Sequence, residues 1–163
     1  MSQATPSFKF CWEDFHVGDV KLMGSHTVTE AEILDFARQF DPQRFHVDKA
    51  QAEKTIYKGL IASGWHTCGL VFRMACDGFL LESSSMGSPG LDNVRWLKPV
   101  RPGDTLRTRI EILETRPMAS KPDLGMVKVR WEGLNQRDEV VVSMENWGMF
   151  GRREASGNST RPS

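Results

Sequence analysis

Residues 60–80 read LIASGWHTCGLVFRMACDGFL, and the architecture follows from how that stretch can be buried. Leu60, Ile61, Trp65, Leu70, Val71, Phe72, Met74, Ala75 and Phe79 fall on almost every side of a helical projection. A helix that is apolar all round is buried all round, so other elements must wrap it. The downstream chain supplies the wrapping. NVRWLKPV (93–100), TLRTRIEILETR (105–116), MVKVRWEGLNQ (126–136) and VVVSMENWGMF (140–150) are separated by RPGD, SKPDLG and QRDE. Leu106, Thr108, Ile110 and Ile112 alternate with polar residues, as do Val127, Val129 and Trp131, the period-2 pattern of strands with one face inward. Turns this short join antiparallel strands. Residues 9–28, with a Val17-Gly18-Asp19 turn, add one more strand or an edge hairpin. The expected fold class is α+β, one long central helix wrapped by a curved antiparallel sheet.

Upstream, TEAEILDFARQF (29–40) opens with Thr29 and Glu32 in capping-box spacing, and Ile33, Phe36, Ala37 and Phe40 recur at i, i+3, i+4, i+7. This is an amphipathic helix. Pro42 disfavours helical geometry at Asp41, so the helix ends there. DKAQAEK (48–54) reads as a second, short helix. A chain of 163 residues holds one core. That domain is expected over residues 9–150, with a flexible N-terminus at 1–8 and a disordered tail, GRREASGNSTRPS, at 151–163.

Composition removes several function classes. Lys+Arg and Asp+Glu are both 21, so no sequence-independent attraction to nucleic acid or an anionic membrane is expected. No apolar run approaches the roughly 18 to 20 residues of a membrane helix, and the N-terminus lacks an apolar leader core, so a cytoplasmic location is expected. Cys11, Cys68 and Cys76 have no CxxC spacing and read as buried thiols, not a disulfide or zinc framework. HxxxH and HxH are absent too. No metal and no cofactor is expected.

The chemistry concentrates in FDPQRFHVD (40–48). In a continuous helix Asp41 and His46 would lie about 140° apart, on different faces. A turn at Pro42 lets both side chains fold toward one point. There a neutral His can take a proton from water while the carboxylate orients that water. Alternatively, Asp41 caps the helix end and His46 is half-exposed. In IASGWH (61–66), Ser63 and Gly64 lie near the start of the buried helix, where the first backbone N–H groups lack intrahelical partners. Gly lets a ligand approach those groups, and a carbonyl gaining charge would be stabilised by them. The bland reading of Gly64 is tight packing against a neighbour. His66 points to another helix face and reads as structural, as do His16 and His26.

The run FARQFDPQRFHVDKAQAEKTIYKGLIASGWHT (36–67) resembles the signature of the MaoC-like, R-specific enoyl-CoA hydratases (the hydratase 2 group), of the rough form FA-x(n)-D-x-N-P-x-H-x-D-x(n)-A-H-G. The VGD turn and WLKPVRPGDTL (96–106) extend the likeness over most of residues 12–150. The resemblance implies a hot dog fold, a homodimer with continuous sheets, and an acyl-CoA or acyl-carrier thioester as substrate. By the same resemblance Asp41 and His46 activate the water and the Gly64 N–H binds the thioester oxygen. Water would add reversibly to a trans-2-enoyl thioester, giving a 3-hydroxyacyl thioester. Three features depart from the motif. Gln43-Arg44 replaces Asn-Pro, with Pro at position 42 instead; Gln43 can supply the amide contacts of the missing Asn. Ser63 replaces the motif His, and Trp65 adds bulk beside the oxyanion site, either narrowing the acyl pocket or filling the core. Gln43, Ser63 and Trp65 are therefore candidate substrate-binding residues. Arg95, Lys98, Arg101 and Arg107 either meet the coenzyme A phosphates or form a solvated sheet edge. Two other functions fit the fold: an acyl-CoA thioesterase, which would want a carboxylate on the long helix where only Asp77 is present near its far end, and a non-catalytic acyl-CoA-binding or assembly module.

Overall fold

The computed structural model describes residues 7–153, so the expectations for 1–6 and 154–163 lie outside the described residues. In chain order the elements are β1 Val20–Thr27, α1 Glu30–Phe40, α2 Arg44–Val47, α3 Lys49–Glu53, α4 Gly64–Gly78, β2 Asp92–Trp96, β3 Thr105–Pro117, β4 Leu124–Leu134 and β5 Val140–Gly151. The sheet runs β1-β3-β4-β5-β2, with every neighbouring pair antiparallel. Along β3 and β4 buried residues alternate with partly exposed ones, and the inward set, including Leu106, Ile110, Val127, Val129 and Trp131, packs on α4. This is the α+β hot dog arrangement, a central helix held in a curved sheet. Beyond β5, the Arg153 backbone N–H and guanidinium reach Glu13 and Asp14. Among the described residues no helix is long and apolar enough to cross a membrane.

Two expectations for the central helix need correction. It begins at Gly64 rather than near Leu60. Residues 60–63 are extended instead: the Ile61 N–H donates to the Phe45 carbonyl and the Ala62 N–H to that of Val100. An apolar run suits a buried extended segment as well as a buried helix, and periodicity cannot separate them. Nor is α4 covered all round. His66, Thr67, Cys68, Val71, Met74 and Ala75 are buried, but Trp65 is 58% and Phe72 45% exposed, because one sheet covers only one side of the helix. On α1 the cap forms as expected, with the Thr29 hydroxyl accepting from the Glu32 N–H. Ile33 and Ala37 are buried while Phe40 lies outside, its ring tilted against Phe36.

Two contacts fix α4 on the sheet. The buried Thr108 hydroxyl of β3 donates to the Val71 carbonyl at 2.8 Å, tying the sheet to the middle of the helix. At Gly133 of β4 a Cβ would lie 2.7 Å from Val71 Cγ2, so helix and sheet can approach this closely only where no side chain intervenes. Gly133→Ala should therefore destabilise the protein by about 1–3 kcal/mol through overpacking. A lower urea midpoint at unchanged m-value is the expected result; an unchanged midpoint would show that the helix yields freely.

Candidate active site

Asp41 is the last residue tied to α1: its N–H donates to the Ala37 carbonyl at 2.9 Å while its own dihedrals, φ −151° and ψ 69°, have left the helix. Pro42 redirects the chain, and the single turn of α2 brings the imidazole back. His46 Nε2 comes to rest 3.2 Å from Asp41 Oδ2. His46 is 4% exposed, with Phe45 packed edge-on against its ring. Its orientation is set by the extended run before α4, since His46 Nδ1 lies 2.7 Å from the Ile61 carbonyl oxygen. A carbonyl only accepts, which assigns the proton to Nδ1. In the neutral ring Nε2 is then an acceptor that faces a second acceptor, Asp41 Oδ2. A donor set between them, a proton or a water O–H, satisfies both.

Asp41 is held from two further sides. The Ser63 hydroxyl donates to Oδ2 at 2.7 Å and the Gln43 amide to Oδ1 at 2.8 Å. Burial pushes this carboxyl up, but the Ser63 and Gln43 hydrogen bonds and the His46 ring outweigh it and hold the group below the usual carboxylate range. Ser63 is fully buried and stands at the N-cap of α4 without capping it. With that hydroxyl committed to Asp41, the first N–H groups of α4 keep no side-chain partner at the positive end of the helix dipole.

Asp41, His46 and Gly64 line one cleft of about 480 Å³, together with Tyr57, Trp65 and Trp96. The structure therefore brings the three candidate catalytic residues to one space. Of the candidate binding residues, Trp65 and Gln43 line it, although the Gln43 amide is engaged with Asp41. Ser63 does not; it positions the carboxylate from behind. Trp65 stands in the cleft wall instead of the core, edge-on to Trp96 with ring centroids 5.3 Å apart. Of the four cations only Lys98 lines the cleft, and each of the four is engaged with another group. Lys98 pairs with Glu139, Arg101 donates to the Tyr57 carbonyl, Arg107 pairs with Asp138 and Arg95 bonds its neighbouring carbonyl. His66 is buried against Phe36, as a structural residue would be, with Nε2 3.6 Å from Glu32, the carboxylate that also takes His26 Nε2 at 2.7 Å. The sequence reading missed Trp96, Tyr57 and the Ile61 carbonyl. Trp96 was visible only as a strand residue, and a backbone acceptor leaves no trace in residue type.

Residues 16–131 match the family described as MaoC like domain. An uncharacterised protein of Bacillus subtilis is 31% identical over 133 residues, covering 82% of this chain and 93% of its own length. Mesaconyl-CoA hydratase of Cereibacter sphaeroides is 35% identical over 82 residues, which are 50% of this chain and 24% of that enzyme. Among solved structures, the MaoC-like dehydratase of Rhodospirillum rubrum superposes with a TM-score of 0.82 at 36% identity, over 89% of this chain and 99% of that one.

The Ser63–Asp41 bond has a pH signature. Asp41 lies below its unfolded value when folded, so its contribution to stability is complete above about pH 4 and is lost as pH falls through the folded value. Ser63→Ala removes one donor and raises the folded value toward the unfolded one. The Asp41 carboxyl carbon resonance should then titrate at higher pH than in the wild type. The stability deficit of the variant should be largest at neutral pH and shrink below about pH 4.

Proposed function

The chain belongs to the MaoC-like dehydratase domain family, and we propose that it reversibly adds water to a trans-2-enoyl thioester of CoA or a carrier protein, giving a 3-hydroxyacyl thioester. The observation that carries this reading is the pair of facing acceptors, His46 Nε2 and Asp41 Oδ2, 3.2 Å apart in a cleft that also holds the uncapped helix start at Gly64. A water molecule has two O–H donors, and this pair offers one acceptor to each. His46 Nε2 takes one proton as the water oxygen attacks the β-carbon, while Asp41 holds the other O–H and steadies the imidazolium that forms. The displaced electron pair moves through the conjugated system to the thioester oxygen. There the N–H of Gly64 receives the developing charge, in the low-dielectric setting where such donors act most strongly. The proton on His46 then passes to the α-carbon. One hydrogen of the water ends on the new hydroxyl and the other on the α-carbon, and the ring returns to neutral.

The relative named mesaconyl-CoA hydratase supports a CoA thioester as the substrate class. Thioester hydrolysis fits less well. Asp77, the one carboxylate on α4, sits in its last turn, paired with Arg73 at 3.0 Å, and does not line the cleft. A homodimer completes the proposal: β2 is an edge strand that ends in half-exposed Trp96, with Leu97 just beyond it, and a second copy pairing there would continue the sheet and cover both.

Mixing the protein with crotonyl-CoA should bleach the conjugated enoyl-thioester absorbance without releasing free thiol. Asp41→Asn and His46→Gln should each lower kcat by about 10²–10⁴-fold while the far-UV spectrum stays native. Thiol release would reassign the protein to the thioesterases, and binding of saturated acyl-CoA without turnover of any enoyl-CoA would make it an acyl-binding module. Sedimentation should give a dimer at micromolar concentration.

A further inference from the structure

Beside the cleft, α4 borders a second hollow of about 360 Å³, whose lining includes Cys68, Gly69, Phe72, Leu91, Met144 and Asn146. Gly64, Cys68 and Phe72 are spaced i, i+4, i+8, so cleft and hollow follow one another along the same face of the helix. Phe72 lies roughly 12 Å down the axis from Gly64. Above Gly69 the space is open, since a Cβ there would meet nothing within 4 Å. The hollow suits alkyl groups: no charged side chain lines it, and the Asn146 carbonyl oxygen already accepts from the Trp131 indole at 2.7 Å.

Trp96 lies in the cleft wall at the end nearer the hollow, over the turn of α4 from Gly64 to Cys68. Its indole forms part of the cleft wall and lies so close to Gly64 that a Cβ there would be 2.4 Å from its ring. The same Nε1 edge that lies over Gly64 also reaches the thiol of Cys68, one helical turn on, which borders the hollow. Trp65 braces it edge-on. The placement is built into the strand, because β2 changes register against β5 between Asp92 and Arg95, with Asn93 at φ 53°. Such bulges re-aim the side chains that follow them.

We propose that Trp96 sets the acyl-chain length of the substrate: its indole closes the catalytic cleft against the apolar hollow, confining the enoyl group to the cleft and selecting short chains. Removing the indole joins the two spaces into one channel, whose far end accepts the distal methylenes of a longer chain. The inference rests on the enoyl-thioester reading above, and its test separates the two.

Wild type, Trp96→Ala and Trp96→Val are compared on crotonyl-, octenoyl- and decenoyl-CoA. Trp96→Val keeps a strand-forming residue should the alanine variant fold poorly. In parallel, butyryl- and octanoyl-CoA, which cannot be hydrated, are titrated calorimetrically. The wild type should lose about tenfold or more in kcat/KM from crotonyl- to decenoyl-CoA. Either Trp96 variant should raise the decenoyl-to-crotonyl ratio by about tenfold, and the octanoyl-to-butyryl affinity ratio should rise with it. Adding Phe72→Asp to the Trp96 variant should abolish that gain. An unchanged ratio in both variants, or a wild type that handles decenoyl-CoA as well as crotonyl-CoA, overturns the proposal. So does a dimer that Phe72→Asp turns into monomers, which would give the hollow to a second copy of the chain. If no enoyl-CoA is hydrated but the affinity ratio shifts in the Trp96 variants, the hydratase reading fails and the gate stands.

Discussion

The hydrogen bond from the Ser63 hydroxyl to Asp41, 2.7 Å long, joins the residue that ends α1 to the residue that precedes α4 across 22 positions of sequence. Much of the site follows from it. A serine at an N-cap ordinarily closes its own helix, but here the hydroxyl is turned to Asp41 and caps none of the first N–H groups of α4. The same donor helps keep Asp41 ionised against the cost of burial. One side chain thus leaves its own helix start without a side-chain cap and holds the carboxylate across from it. The sheet holds the α4 side of this bond in place through Thr108 and the close approach at Gly133, both against Val71.

A second tie holds the two helices from behind. Glu32 of α1 receives the Thr29 hydroxyl and His26 Nε2, and His66 of α4 lies beside it, stacked on Phe36 with ring centroids 4.8 Å apart. Burial raises the Glu32 carboxyl, but the hydrogen bonds from His26 and Thr29 bring it below its ordinary value. Burial lowers His66, against the pull of Glu32. Burial thus favours the uncharged form of His66, while the hydrogen bonds to Glu32 favour its carboxylate.

What the sequence made legible depended on whether side chains or backbone carried the feature. The strands were visible because Leu106, Ile110, Val127 and Val129 alternate with polar residues, and α1 because its cap and apolar spacing agree. Asp41 and His46 could be placed near one another because Pro42 forces a turn between them. The start of α4 could not be read, since Leu60 to Ser63 is as apolar as a helix yet pairs its backbone with Phe45 and Val100. The expected burial of α4 on every side failed at Trp65 and Phe72, because hydrophobicity records only that a surface can be covered. Trp96 escaped notice for a related reason. Its importance lies in which two spaces it separates, and that is a property of the bulge in β2 rather than of an aromatic residue in a strand.

The imidazole of His46 is oriented by the main chain, through the carbonyl of Ile61. Many such rings are steered by a carboxylate or amide side chain, which a single codon change can delete. Here the steering group is present whichever residue occupies position 61, so long as the extended run keeps its path. The tautomer is thereby insulated from drift in the sequence around it. A substitution at position 61 that keeps the buried run in place changes the cleft wall without changing which ring nitrogen faces Asp41.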